Sequence, residues 1–168
     1  YLFDEKHSLP VVCLSMTPSD FQYVYSSVLR TQKYERAGYV EYYEADGTLG
    51  VRFPAGFRVA GASSRTYNQK SLNLYLRGGY GLSSVTYPFF KDYEIKTYKS
   101  LSLRNMGQDR GLTCLRDAYF HTIANGLNIL NMQSKFAAVY VNGKYWGLYE
   151  FKENQNEDYL ASKFGIDT

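Results

Sequence analysis

Hydrophobic and polar positions alternate through most of this chain, and alternation of that kind predicts strands. Residues 9–16 form a short apolar run with Pro10 near its start, which fits a buried or edge strand. Residues 17–20 read as a turn or a helix start, with Ser19 or Asp20 as the cap, and the stretch to residue 36 stays ambiguous between helix and loop. Alternation returns over residues 39–45, and Asp46-Gly47 signals a hairpin into a strand over 48–53. Pro54-Ala55-Gly56 predicts a bulge or break before residues 57–60 continue. From Lys70 onward, Ser71, Asn73 and Tyr75 share one face and Leu72, Leu74 and Leu76 the other, as in a strand with one buried side. Residues 101–103 make another short strand, and 136–141 and 144–151 flank Asn142-Gly143, the strongest hairpin signal in the chain, a hairpin expected to pack beside the Lys70 strand.

Two stretches break the period of two. Residues 112–127 predict a helix whose apolar side chains cover most of its circumference, with Leu115, Tyr119 and Ile123 on one side and Phe120, Ala124 and Leu127 on another. A helix so nearly apolar is expected to be covered on more than one side. Thr113, Asp117 and His121, spaced by four, are its polar stripe. Residues 157–164 predict a second helix after a polar stretch. The fold class expected is α+β, a mostly antiparallel sheet with one long buried helix.

Composition changes this picture little. At 168 residues the chain fits one domain with a real core, and 45% hydrophobic against 21% charged residues is an ordinary globular balance. A net charge of +3 without a Lys/Arg run argues against a nucleic-acid partner, and no apolar stretch approaches a membrane span. Eighteen tyrosines suit half-exposed strands first and a sugar-stacking or adhesive surface second. Cys13 and Cys114 are either one disulfide or two buried thiols, and no metal-binding motif is present. Tyr87-Pro88-Phe89-Phe90 is an aromatic cluster read as packing, and the isolated His7 and His121 are read as non-catalytic.

Gly61-Ala62-Ser63-Ser64-Arg65, followed by Lys70, is the stretch with candidate chemistry. Glycine and serine let backbone N–H groups approach a ligand, and Arg65 and Lys70 add positive charge, a combination suited to phosphate. The same residues also read as a surface turn with two solvated cations, and on their own they favour that plainer account.

The order of five segments resembles the spore-coat protein H (CotH) kinase-like family. They are Leu9-Pro10-Val11-Val12; Gly61 to Arg65 with Gln69-Lys70-Ser71; Leu103-Arg104-Asn105-Met106-Gly107-Gln108-Asp109; Leu115-Arg116-Asp117; and Val141-Asn142-Gly143-Lys144-Tyr145-Trp146-Gly147-Leu148-Tyr149-Glu150, continuing to Glu153. The resemblance implies the small lobe of a protein-kinase-like fold over residues 1–153, including the connector between lobes, and the start of a second lobe over 154–168. It implies ATP and Mg2+ as cofactors and a serine-rich coat or secreted protein as substrate, at the spore coat or cell surface. In that frame Lys70 holds the phosphates and Asp117 orients it, the alternative being that Asp117 pairs with Arg116, Lys135 or His121. Ser63, Ser64 and Arg65 line the phosphate loop, and Glu150 lies in the connector whose backbone meets adenine. Arg104 and Asp109 are expected to pair structurally. The magnesium ligands and catalytic base belong to the second lobe, and neither Asp158 nor Asp167 is given a role. The competing reading is a non-catalytic structural or carbohydrate-binding module of the spore coat or cell surface; a third is a degenerate member that keeps the fold without activity.

Overall fold

The computed structural model describes residues 6–27, 32–127 and 129–166. Its centre is a closed barrel of seven strands: β1 (Val11–Ser15), β2 (Arg36–Tyr43), β3 (Leu49–Ala60), β4 (Ser71–Tyr75), β7 (Ser100–Arg104), β9 (Lys144–Glu153) and β8 (Ser134–Val141), in that order around the wall. Every pairing is antiparallel except β1 with β8, which closes the barrel in parallel register. The remaining strands, β5 (Val85–Thr86) and β6 (Thr97–Tyr98), form a separate two-stranded hairpin. Three α-helices complete the described residues: α1 (Pro18–Ser26), α2 (Arg116–Ala124) and α3 (Glu157–Phe164). The fold is α+β and mostly antiparallel.

Period-two alternation fills the barrel. Val12 and Leu14, Tyr42, Phe53 and Phe57, Leu72 and Leu74, Leu101 and Leu103, Val139, and Tyr149 and Phe151 all point inward and join one buried cluster. In the loop after β5, Phe89 packs edge-on against Tyr42 and Phe151 and Phe90 stacks on Phe151, and Tyr98 of β6 meets both phenylalanines edge-on, as the aromatic run at 87–90 suggests. Phe21 and Tyr25 of α1 pack against Trp146, which a register shift between Val139 and Tyr140 turns toward the helix. Tyr25 ties this corner to the start of β4: its hydroxyl donates to Asn68 O (2.9 Å) and accepts from Lys70 N (2.8 Å) and Trp146 Nε1 (3.1 Å).

Several expectations are corrected. Pro54 does not interrupt its strand; β3 runs unbroken through it, opposite Tyr39, and the irregularity lies at Tyr42/Tyr43. Thr17, rather than Ser19 or Asp20, caps α1: its Oγ1 accepts from Asp20 N and donates to Asp20 Oδ2. The β8–β9 hairpin lies beside β7, which separates it from the Lys70 strand. Cys13, buried on the outer face of β1, and Cys114 are both free thiols.

The largest correction concerns α2, which is neither long nor buried. Left-handed backbone at Gly111 and Cys114 delays its start, and Asn125 and left-handed Gly126 end it after nine residues. Phe120 is 64% exposed and Tyr119 61%, and Leu115 and Ile123 are exposed too. The helix instead turns its half-buried Asp117, Ala118, His121 and Ala124 away from solvent.

Outside β3 and β4, Glu35 is fully buried and bridges two arginines. Arg77 grips it with both Nε (2.8 Å) and Nη2 (3.3 Å), Arg58 Nη1 lies at 3.8 Å, and both guanidiniums stack on Tyr75. Glu35→Ala should therefore cost about 2–3 kcal/mol, less than a fully buried pair because Arg77 keeps contact with water. Urea unfolding reads the difference, and an unchanged midpoint would show that the bridge contributes nothing.

Candidate functional site

Filling the barrel with apolar residues sends the alternate positions outward. On β7 that face carries Ser102 and Arg104, and on the neighbouring β9 it carries Glu150 and Lys152. Arg104 is directly opposite Glu150 in the ladder, and Ser102 is opposite Lys152. Two cations and an anion thus stand together under α2, whose first turn supplies Asp117 as the second anion.

The four charges interlock. Lys152 Nζ lies 2.5 Å from Asp117 Oδ2 and 3.5 Å from Glu150 Oε1, and Arg104 Nε lies 3.2 Å from Asp117 Oδ2 and 3.6 Å from Glu150 Oε2. His121, one turn along α2, places Nε2 at 3.3 Å from the same ammonium. The Glu150 side chain is 2% exposed and that of Lys152 5%, whereas the Arg104 side chain keeps 38% of its surface. Burial pushes the Glu150 carboxyl above its ordinary range, with the Asp117 charge adding to it and Lys152 opposing. Burial acts upward on Asp117 as well, but Lys152 and Arg104 hold it below the ordinary range. His121 is held below its usual value by burial and by the Lys152 charge.

Asn105, next to Arg104, joins this cluster to the serine-rich turn. It is almost completely buried; its Nδ2 donates to Gln69 O (2.7 Å) and Ser64 O (3.5 Å), and its Oδ1 accepts from Ser71 Oγ (2.8 Å) and Gly107 N (3.1 Å). The backbone of Gly107 lies against the Arg104 guanidinium, where a Cβ would meet Nη2 at 3.0 Å. Ser63, Ser64 and Arg65 form a short 3-10 turn after left-handed Gly61, with Arg65 Nε donating to Ala62 O (2.9 Å).

The expected Lys70–Asp117 pair is not formed. By strand alternation Lys70 shares the inward face of Leu72 and Leu74, at the barrel mouth, whereas α2 lies against the outward face. The Lys70 ammonium donates to Arg65 O instead, and Asp117 takes Lys152 and Arg104. Arg104 and Asp109 do not pair either: Asp109 caps the approach to α2, accepting from Arg116 N (3.0 Å) and Thr113 Oγ1 (2.7 Å). Glu150 is not in an open connector, because ladders on both edges of β9 engage that stretch through Lys152. Sequence reasoning gave Arg104 only a structural pairing with Asp109 and gave Lys152 and Asn105 no role. The available signal was parity: once Tyr149 and Phe151 are inward, Glu150 and Lys152 must lie outward.

Magnesium, implied by the resemblance, asks for several carboxylate or carbonyl oxygens. Asp117 and Glu150 are already neutralised by Lys152 and Arg104, and among the described residues no group of three or more His, Cys, Asp or Glu is placed to hold a metal ion. The described acids do not fit a magnesium site.

A barrel with a strand cation joined to a helix carboxylate, beside a serine-rich turn, is the class of architecture in hand. Residues 57–168, two thirds of the chain, match the family described as CotH kinase protein, and the chain belongs to that family. No curated protein matches it. No helix among the described residues is long and apolar enough to cross a membrane.

Lys152→Met should strand Glu150 without its ammonium and cost about 3 kcal/mol near neutral pH. The folded-state pKa of Glu150 is raised, so proton uptake favours the fold as pH falls, and the deficit should narrow below about pH 5. Urea unfolding at both pH values checks this; an equal deficit would show that the stranded charge is not the cause.

Proposed function

We propose that this chain carries the nucleotide-binding part of a CotH-type protein kinase, associated with the spore coat or cell surface and acting on serine-rich coat or secreted proteins. The observation that carries the reading is the Arg104–Asp117 ion pair. In protein kinases a strand lysine is oriented by an acid on a helix and holds the nucleotide phosphates. Here Arg104 ends β7, the strand before α2, and Asp117 sits in the first turn of that helix. Arginine grips phosphate through a planar fork, and Arg104 keeps enough exposed surface to do so.

Ser63, Ser64, Arg65 and Lys70 form the other side of the phosphate site in this reading. Asn105 holds their turn beside Arg104. Lys152 and Glu150 act from beneath, fixing Asp117 and balancing its charge. Residues 1–153 make the small lobe with its connector at the end of that span, and residues 154–168 open a second lobe. ATP brings the transferable phosphoryl group; this chain's residues bind and orient it, and no transfer step is assigned to them.

Titration with ATP tests the reading. Arg104→Ala should weaken binding about tenfold or more, the scale of one lost charge-assisted phosphate contact, and Arg65→Ala and Lys70→Ala should each weaken it less. Affinity unchanged in all three would remove the assignment. In a phosphorylation assay with a serine-rich acceptor, the 168-residue chain should transfer no phosphate; robust transfer would mean that catalytic carboxylates lie among its own acids.

A further inference from the structure

We propose that His121 is a positioning residue for this site: while uncharged it holds Lys152, and through Lys152 the Asp117 carboxylate that orients Arg104. The proposal rests on the nucleotide reading for its functional consequence, and on the geometry of α2 for the latch itself.

An ammonium donates and never accepts, so at 3.3 Å from Lys152 Nζ the His121 Nε2 must offer its lone pair. On the far side of the ring, Nδ1 faces the Met132 backbone N–H at 3.4 Å. Both ring nitrogens therefore meet donors. A neutral imidazole serves the stronger one, Lys152; a protonated imidazole serves neither and sets its charge against the ammonium. The charged groups acting on the ring are Asp117 on its own helix, Lys152 on β9 and Arg104 on β7, with Glu150 on the far side of Lys152. The segment before β8 contributes neutral donors, the Met132 amide and the Asn131 carboxamide, which donates to His121 O. Asp117 Oδ2, at 3.8 Å, is the one opposing charge close to the ring, and Lys152 and Arg104 already share it.

The latch matters because little else holds α2. None of its side chains is buried, and its large apolar residues point to solvent. On the β7–β9 face its docking is carried by Asp117 and His121, while Asn131 and Gln133 hold only its C-terminal end, through His121 O and Asn125 Oδ1. A second proton on His121 removes one of these two contacts and repels the other's partner. Acidification should thus release α2 and, with it, the orientation of Arg104.

The test compares the wild-type chain, His121→Gln and His121→Ala at about pH 7.5 and about pH 5.5, which bracket the histidine range. Glutamine keeps an uncharged acceptor for Lys152 but takes up no proton. Hydrogen-exchange protection factors of the α2 amides, free of nucleotide, read the latch. ATP affinity at each pH, always relative to His121→Gln so that protonation of ATP cancels, reads the consequence. Wild type should lose about tenfold in α2 protection on acidification, the scale of one lost charge-assisted hydrogen bond, and should lose ATP affinity in parallel. His121→Gln should be flat in α2 protection, and His121→Ala should be low in both readouts at both pH values. Equal pH dependence of α2 protection in wild type and His121→Gln overturns the proposal, as does wild-type behaviour of His121→Ala. If no variant binds ATP at either pH the nucleotide reading falls, and the exchange data alone decide the latch.

Discussion

The Asp117 carboxylate, shared between Lys152 on β9 and Arg104 on β7, is the interaction on which the candidate site depends. It is the link between a helix that buries no side chain and a barrel whose outer face carries two cations. The cations are outward because the barrel interior is filled by Leu101, Leu103, Tyr149 and Phe151, and a strand that points one residue in must point the next one out. Core packing thus dictates where the charges lie, and the charges dictate where the helix lies.

Such a network is costly to assemble. Moving Glu150 and Lys152 out of water carries a desolvation penalty that their mutual attraction offsets only when the geometry is good. Arg104 Nε and Glu150 Oε1 are both within ion-pair range of a partner, yet neither makes a hydrogen bond. Replacing a buried ion pair by apolar residues of similar volume is often neutral or stabilising. A half-satisfied buried network is therefore weak as a stabilising device and suits a role in positioning. That argument favours reading the Arg104–Asp117 pair as functional. The same logic does not extend to Glu35, whose carboxylate is gripped at both oxygens by Arg77 and whose surroundings offer no serine-rich turn.

The sequence made the strands legible because period two and the Asp46-Gly47 and Asn142-Gly143 turns are local signals, and the structure has a hairpin at each turn. Closure of the barrel was not legible, since the parallel β1–β8 pairing joins segments more than a hundred residues apart. The error at α2 came from taking apolar content as a measure of burial. Asp117 and His121 outcompete Tyr119, Phe120 and Ile123 for the barrel because the face they meet is charged. Lys70 draws the role as a lysine near a strand start, whereas the helix partner is fixed by face: Arg104 looks toward α2 and Lys70 does not. The aromatic run at 87–90 and the helix at 157–164 were read correctly, each from contiguous residues.

A nine-residue helix is marginal in water, and α2 gains little from its own length. Asp109 and Thr113 satisfy donors at its start, and Asn125 and Gly126 close its end, but these local devices only permit the helix. Its position is set by two side chains one turn apart, Asp117 and His121, acting on one ammonium. Helix formation and assembly of the charge cluster are therefore coupled: without the helix, Lys152 is left with Glu150 alone, and without Lys152 the helix is anchored on the barrel wall by the Arg104–Asp117 pair alone. An orienting group held in this way responds as a unit. Under the proposed nucleotide reading, a ligand that favours Arg104 in its Asp117-paired position would also favour the docked helix, and loosening the helix would weaken that ligand in turn.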